Sequence, residues 1–294
     1  MNTDLYHMQS AQKQTSITKV SKEIVSQNED FLAIEEPLEI RLEFGPEGDR
    51  CIQNISVTMR TPGNDAELAT GFLFTEGVLK SPEEIARVEH LYVACSENKE
   101  NIILVSLKPG VVPHLQNTAR NFYTTSSCGV CGKGSINAIR TVKSPSLVKK
   151  DIFLNSNLLF ELPDRLRIQQ AIFADTGGLH AAAIFNDQGD ILLLREDVGR
   201  HNALDKLIGA AMIRQDFDLS QSILLLSGRA SFELIQKAAM AGIAIIAAVG
   251  APSSLAVELA LEFHITLAGF VRDNRFNIYT SPHRIIIPTY ENTN

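Results

Sequence analysis

Two cysteines, Cys128 and Cys131, stand in the string Ser126-Ser-Cys-Gly-Val-Cys-Gly-Lys-Gly-Ser135. Thiols at this spacing can supply half of a zinc site, cycle as a dithiol, or give a nucleophile with a helper beside it. Structural zinc needs four ligands, and the other two cysteines, Cys51 and Cys95, stand alone with no second CxxC or CxxH. They would have to converge from separate strands. Gly129, Gly132 and Gly134 give backbone freedom that a packed core thiol does not need, which points to an exposed loop. A thiol with an ordinary pKa of about 8.5 is mostly protonated at neutral pH. Lys133, or a helix beginning near Ser135, would raise the thiolate fraction. The flanks lack the βαβ setting of a thioredoxin site, so the string reads as reactive sulfur, with a zinc half-site and a packed thiol pair as alternatives.

Three further polar clusters follow apolar runs, where strand ends of an open α/β sheet bind ligands. In Arg195-Glu-Asp-Val-Gly-Arg-His-Asn202, Asp197 is expected to cap a helix, leaving Gly199, Arg200, His201 and Asn202 at the strand's carboxyl end. The alternative is a charged helix start with internal salt bridges. After Ile223-Leu-Leu-Leu226, Gly228 and Ser231 flank Arg229 and can turn backbone N–H groups toward an anion. After Ile265, the segment Phe270, Val271, Arg272, Asp273, Asn274, Arg275 offers two arginines to a phosphate or a guanine edge, unless it is an exposed edge turn. Thr176-Gly-Gly-Leu-His180 carries a double glycine that needs a special backbone path or a close ligand, while His180 reads equally as a structural histidine.

The elements that would position these clusters divide the chain. Residues 1–35 are polar without hydrophobic period and are expected to form a largely disordered arm. Residues 36–125 read as a small α+β domain: Leu38, Ile40, Leu42 and Phe44 alternate, Ile52 to Met59 return, Asp65 is placed to cap a helix, and Ser81-Pro82 starts another. Strands are expected at Val88–Val93 and Ile102–Leu107. Residues 126–157 hold the CxxC loop and a connector; 158–290 form the larger unit. There a helix from Leu158, a hairpin turning at Asn186-Asp-Gln-Gly-Asp190, and alternating helices and buried strands imply an α/β sheet covered on both faces.

Composition limits the function classes. With 45% hydrophobic and 21% charged residues over 294, a sizeable core forms and wholesale disorder is excluded. A net charge of -7, no Trp and 6% aromatics weigh against tracking or stacking on nucleic acid. The N-terminus has no apolar signal segment, so free thiols and a cytoplasmic setting are expected. Ala238–Val257 is uncharged, but Gly250-Ala-Pro interrupts it and it reads as buried structure, not as a membrane span.

The stretches Thr70–Gly77, Ser127–Gly132, Thr176–Ala183, Arg195–Lys206, Ser227-Gly-Arg229 and Phe270–Arg275 together resemble the FdhD family, sulfur carriers required for formate dehydrogenase activity. The resemblance runs from about Glu36 to Pro282, and the Arg195–Lys206 string is its most specific part. It implies that a cysteine desulfurase loads sulfur onto Cys128 as a persulfide, with Cys131 assisting. The substrate would be the bis(molybdopterin guanine dinucleotide) molybdenum cofactor, sulfurated before insertion into apo formate dehydrogenase. Its guanine nucleotide would lie on Phe270–Arg275, with Arg200, His201, Gly228 and Arg229 nearby, and the working form would be a homodimer.

The larger unit also looks like a cytidine deaminase fold, a three-layer domain preceded here by the smaller α+β one. Deaminases carry His-x-Glu and Pro-Cys-x-x-Cys at two helix starts. Here Arg200-His-Asn-Ala and Ser227-Gly-Arg-Ala-Ser stand there instead, so no metal and no deamination are expected. The competing readings are a cofactor-binding chaperone with a structural CxxC and a zinc-stabilised interaction protein.

Overall fold

The computed structural model describes residues 11–91, 101–115, 152–216 and 218–288. The chain opens with a two-stranded antiparallel hairpin, β1 (Gln12–Val20) and β2 (Val25–Ala33), in register from Gln12 opposite Ala33 to Val20 opposite Val25. This corrects the expectation of a disordered arm over the described part of residues 1–35. Both faces of the hairpin are largely exposed, so its strands carry no alternation of apolar and polar residues. Backbone pairing holds them, with cross-strand side-chain bonds from Ser16 to Glu29 and from Gln27 to Thr18.

β3 (Glu36–Phe44), β4 (Cys51–Arg60), β5 (Ile85–His90) and β6 (Ile102–Leu107) form a sheet in the order β4-β3-β6-β5, with β3 and β6 parallel. The period of two in β3 buries Leu38, Ile40 and Leu42 against Leu68 and Leu73 of α1 (Asp65–Thr75). Asp65 is not the cap expected of it: Asn64, in the left-handed region, holds that position, and Asp65 instead forms a buried fork with Arg60 at 2.8 and 3.0 Å. Ser81-Pro82 opens only a 3-10 turn, because the chain enters β5 three residues later.

The larger unit starts with β7 (Leu154–Asn155), α2 (Ser156–Gln169) and the short α3 (Ala171–Thr176). β8 (His180–Phe185) and β9 (Ile191–Asp197) follow as the expected hairpin. Then come α4 (Arg200–Arg214), β10 (Ile223–Leu226), α5 (Phe232–Met240), β11 (Ile245–Ala248), α6 (Ser254–Glu262), β12 (Thr266–Arg272) and β13 (Arg275–Thr280). A short β14 (Ile285–Ile286) pairs with β7. The main sheet has the order β13-β12-β11-β10-β8-β9, with β10, β11 and β12 parallel and the others antiparallel to their neighbours.

Its strands are apolar on both sides because both faces are covered. Leu224, Leu226 and Ile246 pack under α4, α5 and α6, while Ile223, Leu225 and Ile245 pack under α2. The chain is thus a mixed α/β protein with several sheets. Ala238–Val257 resolves into the end of α5, β11 and the start of α6. No described helix is long and apolar enough to cross a membrane.

The small unit joins the large one through α1 and α4, whose backbones touch. A Cβ on Gly71 would lie 1.9 Å from the Asp205 carbonyl oxygen, and one on Gly209 1.9 Å from that of Glu67. No residue but glycine permits that approach.

Candidate functional site

Because β10, β11 and β12 run parallel, their carboxyl ends share one edge of the sheet, where antiparallel β8 begins and β9 ends. His180, Asp197, Ser227-Gly-Arg229, Val249-Gly250 and the Phe270–Arg275 segment therefore meet there. Backbone bonds knit the loops together: Gly250 N–H donates to the Gly228 carbonyl at 3.0 Å, and Phe270 N–H to the Gly250 carbonyl at 3.1 Å. Ser227 extends the β8–β10 ladder past its end, its hydroxyl accepting from Ala181 N–H at 2.8 Å.

Between this edge and α2 and α3 lies a cavity of about 660 Å³. Asp164 and Arg167 of α2 face it from one side; His180, Ser227, Arg272 and Asp273 face it from the sheet edge. Phe173 and the Gly177-Gly178 pair make the α3 wall, with Gly177 in the left-handed conformation that ends that helix. The wall is held by Glu196, whose carboxylate accepts from the Ile172 and Phe173 N–H groups at 3.3 and 3.2 Å. Burial pushes the Glu196 carboxyl up despite these bonds. On its other side α3 rests on the base of the N-terminal hairpin, where Gln12 donates to Asp175 at 3.4 Å.

The Phe270–Arg275 segment is not an open loop after a strand. β12 continues to Arg272, which pairs with Arg275 across the tip of a hairpin, and a bulge separates Gly269 from Arg272. Phe270 sits at φ 55 within that bulge. The irregularity buries Val271 under α2 and leaves Arg272, Asp273, Asn274 and Arg275 exposed. Val271, Arg272 and Asp273 line the cavity; Phe270, Asn274 and Arg275 do not.

Arg200, His201, Gly228 and Arg229 also lie outside the cavity lining, although they share the edge. His201 is buried, its Nε2 lying 3.3 Å from Ser231 Oγ and 3.8 Å from Glu233 Oε2. Burial pushes the His180 imidazole down, the charges of Arg200 and His201 push it further, and Asp197 opposes them. The neutral form that burial favours can accept as well as donate a hydrogen bond.

Of the ion pairs made by the Arg195–Lys206 string, Arg195–Glu67 runs between the units, while Asp197–Lys206, His201–Glu233 and Asp205–Lys237 lie within the large one. Arg195 forks onto Glu67 of α1, one arm at 2.7 Å. Asp197 is not the helix cap; Gly199 is. The Asp197 carboxylate accepts from Gly199 N–H at 2.8 Å and Thr61 N–H at 3.2 Å and pairs with Lys206 at 2.7 Å. Asn202 donates to the Met59 carbonyl at 2.7 Å. Deeper in, Asp205 accepts from Thr75 at 2.8 Å and meets Lys237 at 3.0 Å, which also reaches Glu76 at 3.1 Å. Burial alone would push the Lys237 ammonium down, but Asp205 and Glu76 outweigh it and hold it above its ordinary value.

Sequence reading missed Asp164, Arg167 and Phe173, since charges three apart on a helix look like any solvated face. Cys128, Cys131, Lys133 and Cys95 lie outside the described residues. Cys51 is an exposed free thiol on β4. Among the described residues, no three His, Cys, Asp or Glu side chains are grouped to hold a metal ion.

The family model of the FdhD/NarQ family matches residues 33–286. The sulfur carrier protein FdhD of Streptomyces avermitilis is 48% identical over 274 residues, 92% of this chain and 94% of that one. The sulfur carrier protein FdhD of Picrophilus torridus is 44% identical over 257 residues, 87% and 92% of the two chains. A solved structure from Desulfotalea psychrophila, described as a candidate formate dehydrogenase accessory protein, superimposes with a TM-score of 0.68. It covers 94% of this chain and all of that one at 23% identity, which speaks for the fold. With a family model spanning both units and relatives this similar along nearly the whole chain, the protein belongs to the FdhD/NarQ family.

Proposed function

We propose that this chain is a sulfur carrier that accepts sulfur on Cys128 from a cysteine desulfurase and sulfurates the bis(molybdopterin guanine dinucleotide) molybdenum cofactor of formate dehydrogenase. The observation that carries the reading is the 48% identity, over 92% of the chain, to a protein named for sulfur carriage. In loading, the Cys128 thiolate attacks the outer sulfur of the donor's persulfide; that S–S bond breaks and the donor leaves as a thiolate. One sulfur is gained with no net oxidation, and no metal is required. Cys131 assists without carrying the sulfur itself.

The cofactor is cargo, and its nucleotide is proposed to lie at the carboxyl edge. A cavity of about 660 Å³ is within the range that takes small-molecule ligands, and Arg272 supplies a cation at its rim. The order hairpin, helix, strand, helix, strand, helix, strand supports the cytidine deaminase-like reading of the large unit. Gly199-Arg-His stands at the start of α4, and Ser227-Gly-Arg in the turn that leads into α5, in place of metal ligands. We take the working form to be a cytoplasmic homodimer that meets the desulfurase and apo formate dehydrogenase in turn.

Intact mass spectrometry after incubation with a cysteine desulfurase and cysteine tests the sulfur step. The wild type and Cys131→Ala gain one sulfur, and Cys128→Ala gains none and fails to mature formate dehydrogenase. Maturation by Cys128→Ala at wild-type level would leave the chain a cofactor-binding chaperone.

A further inference from the structure

Four charged side chains converge on the cavity without partners of their own. Asp164 and Arg167 come from α2, Arg272 and Asp273 from the tip of the β12–β13 hairpin. All four are exposed, and among the described residues none of these side chains takes part in a hydrogen bond or ion pair. Each carboxylate is close in sequence to a guanidinium, yet the pairs do not close. A single exposed charge is ordinarily solvated. Two of each sign on opposite walls of one cavity ask for a ligand that brings both an anion and an edge of hydrogen-bond donors.

A guanine nucleotide has that pattern. Its N1–H and 2-amino group point the same way and suit the two oxygens of one carboxylate, while its phosphates suit a guanidinium. Adenine presents a donor beside an acceptor on the same edge, and a carboxylate cannot satisfy it. We infer that Asp164 is the residue by which the cavity selects guanine, with the phosphates turned toward Arg272. The inference rests on the nucleotide reading above and adds a residue to it.

Asp164 is favoured over Asp273 by rigidity. It projects from a helix anchored by Leu159, Leu162 and Leu166, all buried in the core under the sheet. Asp273 sits at a hairpin tip beside the cation assigned to the phosphates. Discrimination between bases needs a carboxylate fixed in direction, which a helix supplies better than a turn.

Titration calorimetry with GDP, inosine diphosphate, xanthosine diphosphate and ADP tests this on the wild type, Asp164→Asn and Asp273→Asn. Inosine lacks the 2-amino group, so the wild type should prefer GDP to inosine diphosphate by roughly ten- to a hundredfold, the worth of one hydrogen bond to a charged group. In Asp164→Asn that preference should collapse. Xanthosine diphosphate, whose 2-oxo group accepts from the new amide, should then become the better ligand, a gain that misfolding cannot produce. Asp273→Asn should keep the wild-type order. An unchanged preference in Asp164→Asn, or its loss in Asp273→Asn alone, overturns the assignment. A wild type that binds none of the four overturns the nucleotide reading and this inference with it.

Discussion

His180 shows how a single residue records the character of the site. It begins β8, lines the cavity, and is half-buried beside Arg200 and His201. Burial first, and then the neighbouring Arg200 and His201, depress its folded pKa below the ordinary histidine value of 6.5. The unfolded chain therefore binds this proton more readily. The stability gained from a neutral His180 is fully present above the unfolded value and is lost as pH falls through the folded one. Denaturant unfolding across mildly acidic pH should show wild type losing stability more steeply than His180→Gln. An imidazole that titrates by NMR at or above the ordinary histidine value would contradict this. In the sequence His180 was only a histidine after a double glycine; nothing in Thr176-Gly-Gly-Leu-His180 reveals that β9 and α4 bring Arg200 and His201 to it. The same limit hid Asp164 and Arg167. A cavity wall made by a helix across from the strand ends is a property of packing, whereas polar residues after an apolar run are a property of the string.

Elements were legible where one physical signal dominated. β3 alternates, and β10 and β11 are continuously apolar, so each was visible from its residues. The N-terminal hairpin was not, because both of its faces meet solvent and no hydrophobic period remains. Asp197 was misread because a carboxylate before a helix looks like a cap, while its partners Thr61 and Lys206 lie across the fold or nine residues on. The contact of α1 with α4 lay hidden in two glycines within otherwise ordinary helices. It makes a sharp prediction. Gly71→Ala places a methyl 1.9 Å from the Asp205 carbonyl oxygen, and backbone on both sides leaves nothing flexible to yield. The helices must separate, at a cost of about 2 kcal/mol or more in unfolding free energy. Urea midpoints for Gly71→Ala and Gly209→Ala measure it, and stabilities equal to wild type would show that the helices are less closely held.

At the scale of the molecule, the question is whether the small and large units are separable. Their junction carries buried charge: Lys206 and Asp205 are each 1% exposed, Asp197 0% and Lys237 5%. Several of their partners come from the small unit. Thr61 bonds Asp197 and Lys206; Thr75 and Glu76 bond Asp205 and Lys237. Arg195 is forked onto Glu67. Removing the small unit would take Thr61, Thr75 and Glu76 from these groups and Glu67 from Arg195, leaving Asp197–Lys206 and Asp205–Lys237 paired but open to water. A hydrogen bond to a charged group is worth about 1.5–3 kcal/mol, so the joint loss of these bonds is comparable with a good part of the whole stability of a domain. The large unit alone is thus expected not to fold, and the intact chain to unfold in one step. Far- and near-ultraviolet circular dichroism in urea should give coincident single transitions. Residues 152–288 expressed alone should show no cooperative transition. Two resolved steps in the full chain, or a cooperative fragment, would mean that the buried network orients two independent domains instead of making them one. The site would then sit on a unit free to move against its neighbour, and the rigid carboxyl edge on which the proposed nucleotide selection depends would be a property of the large unit alone.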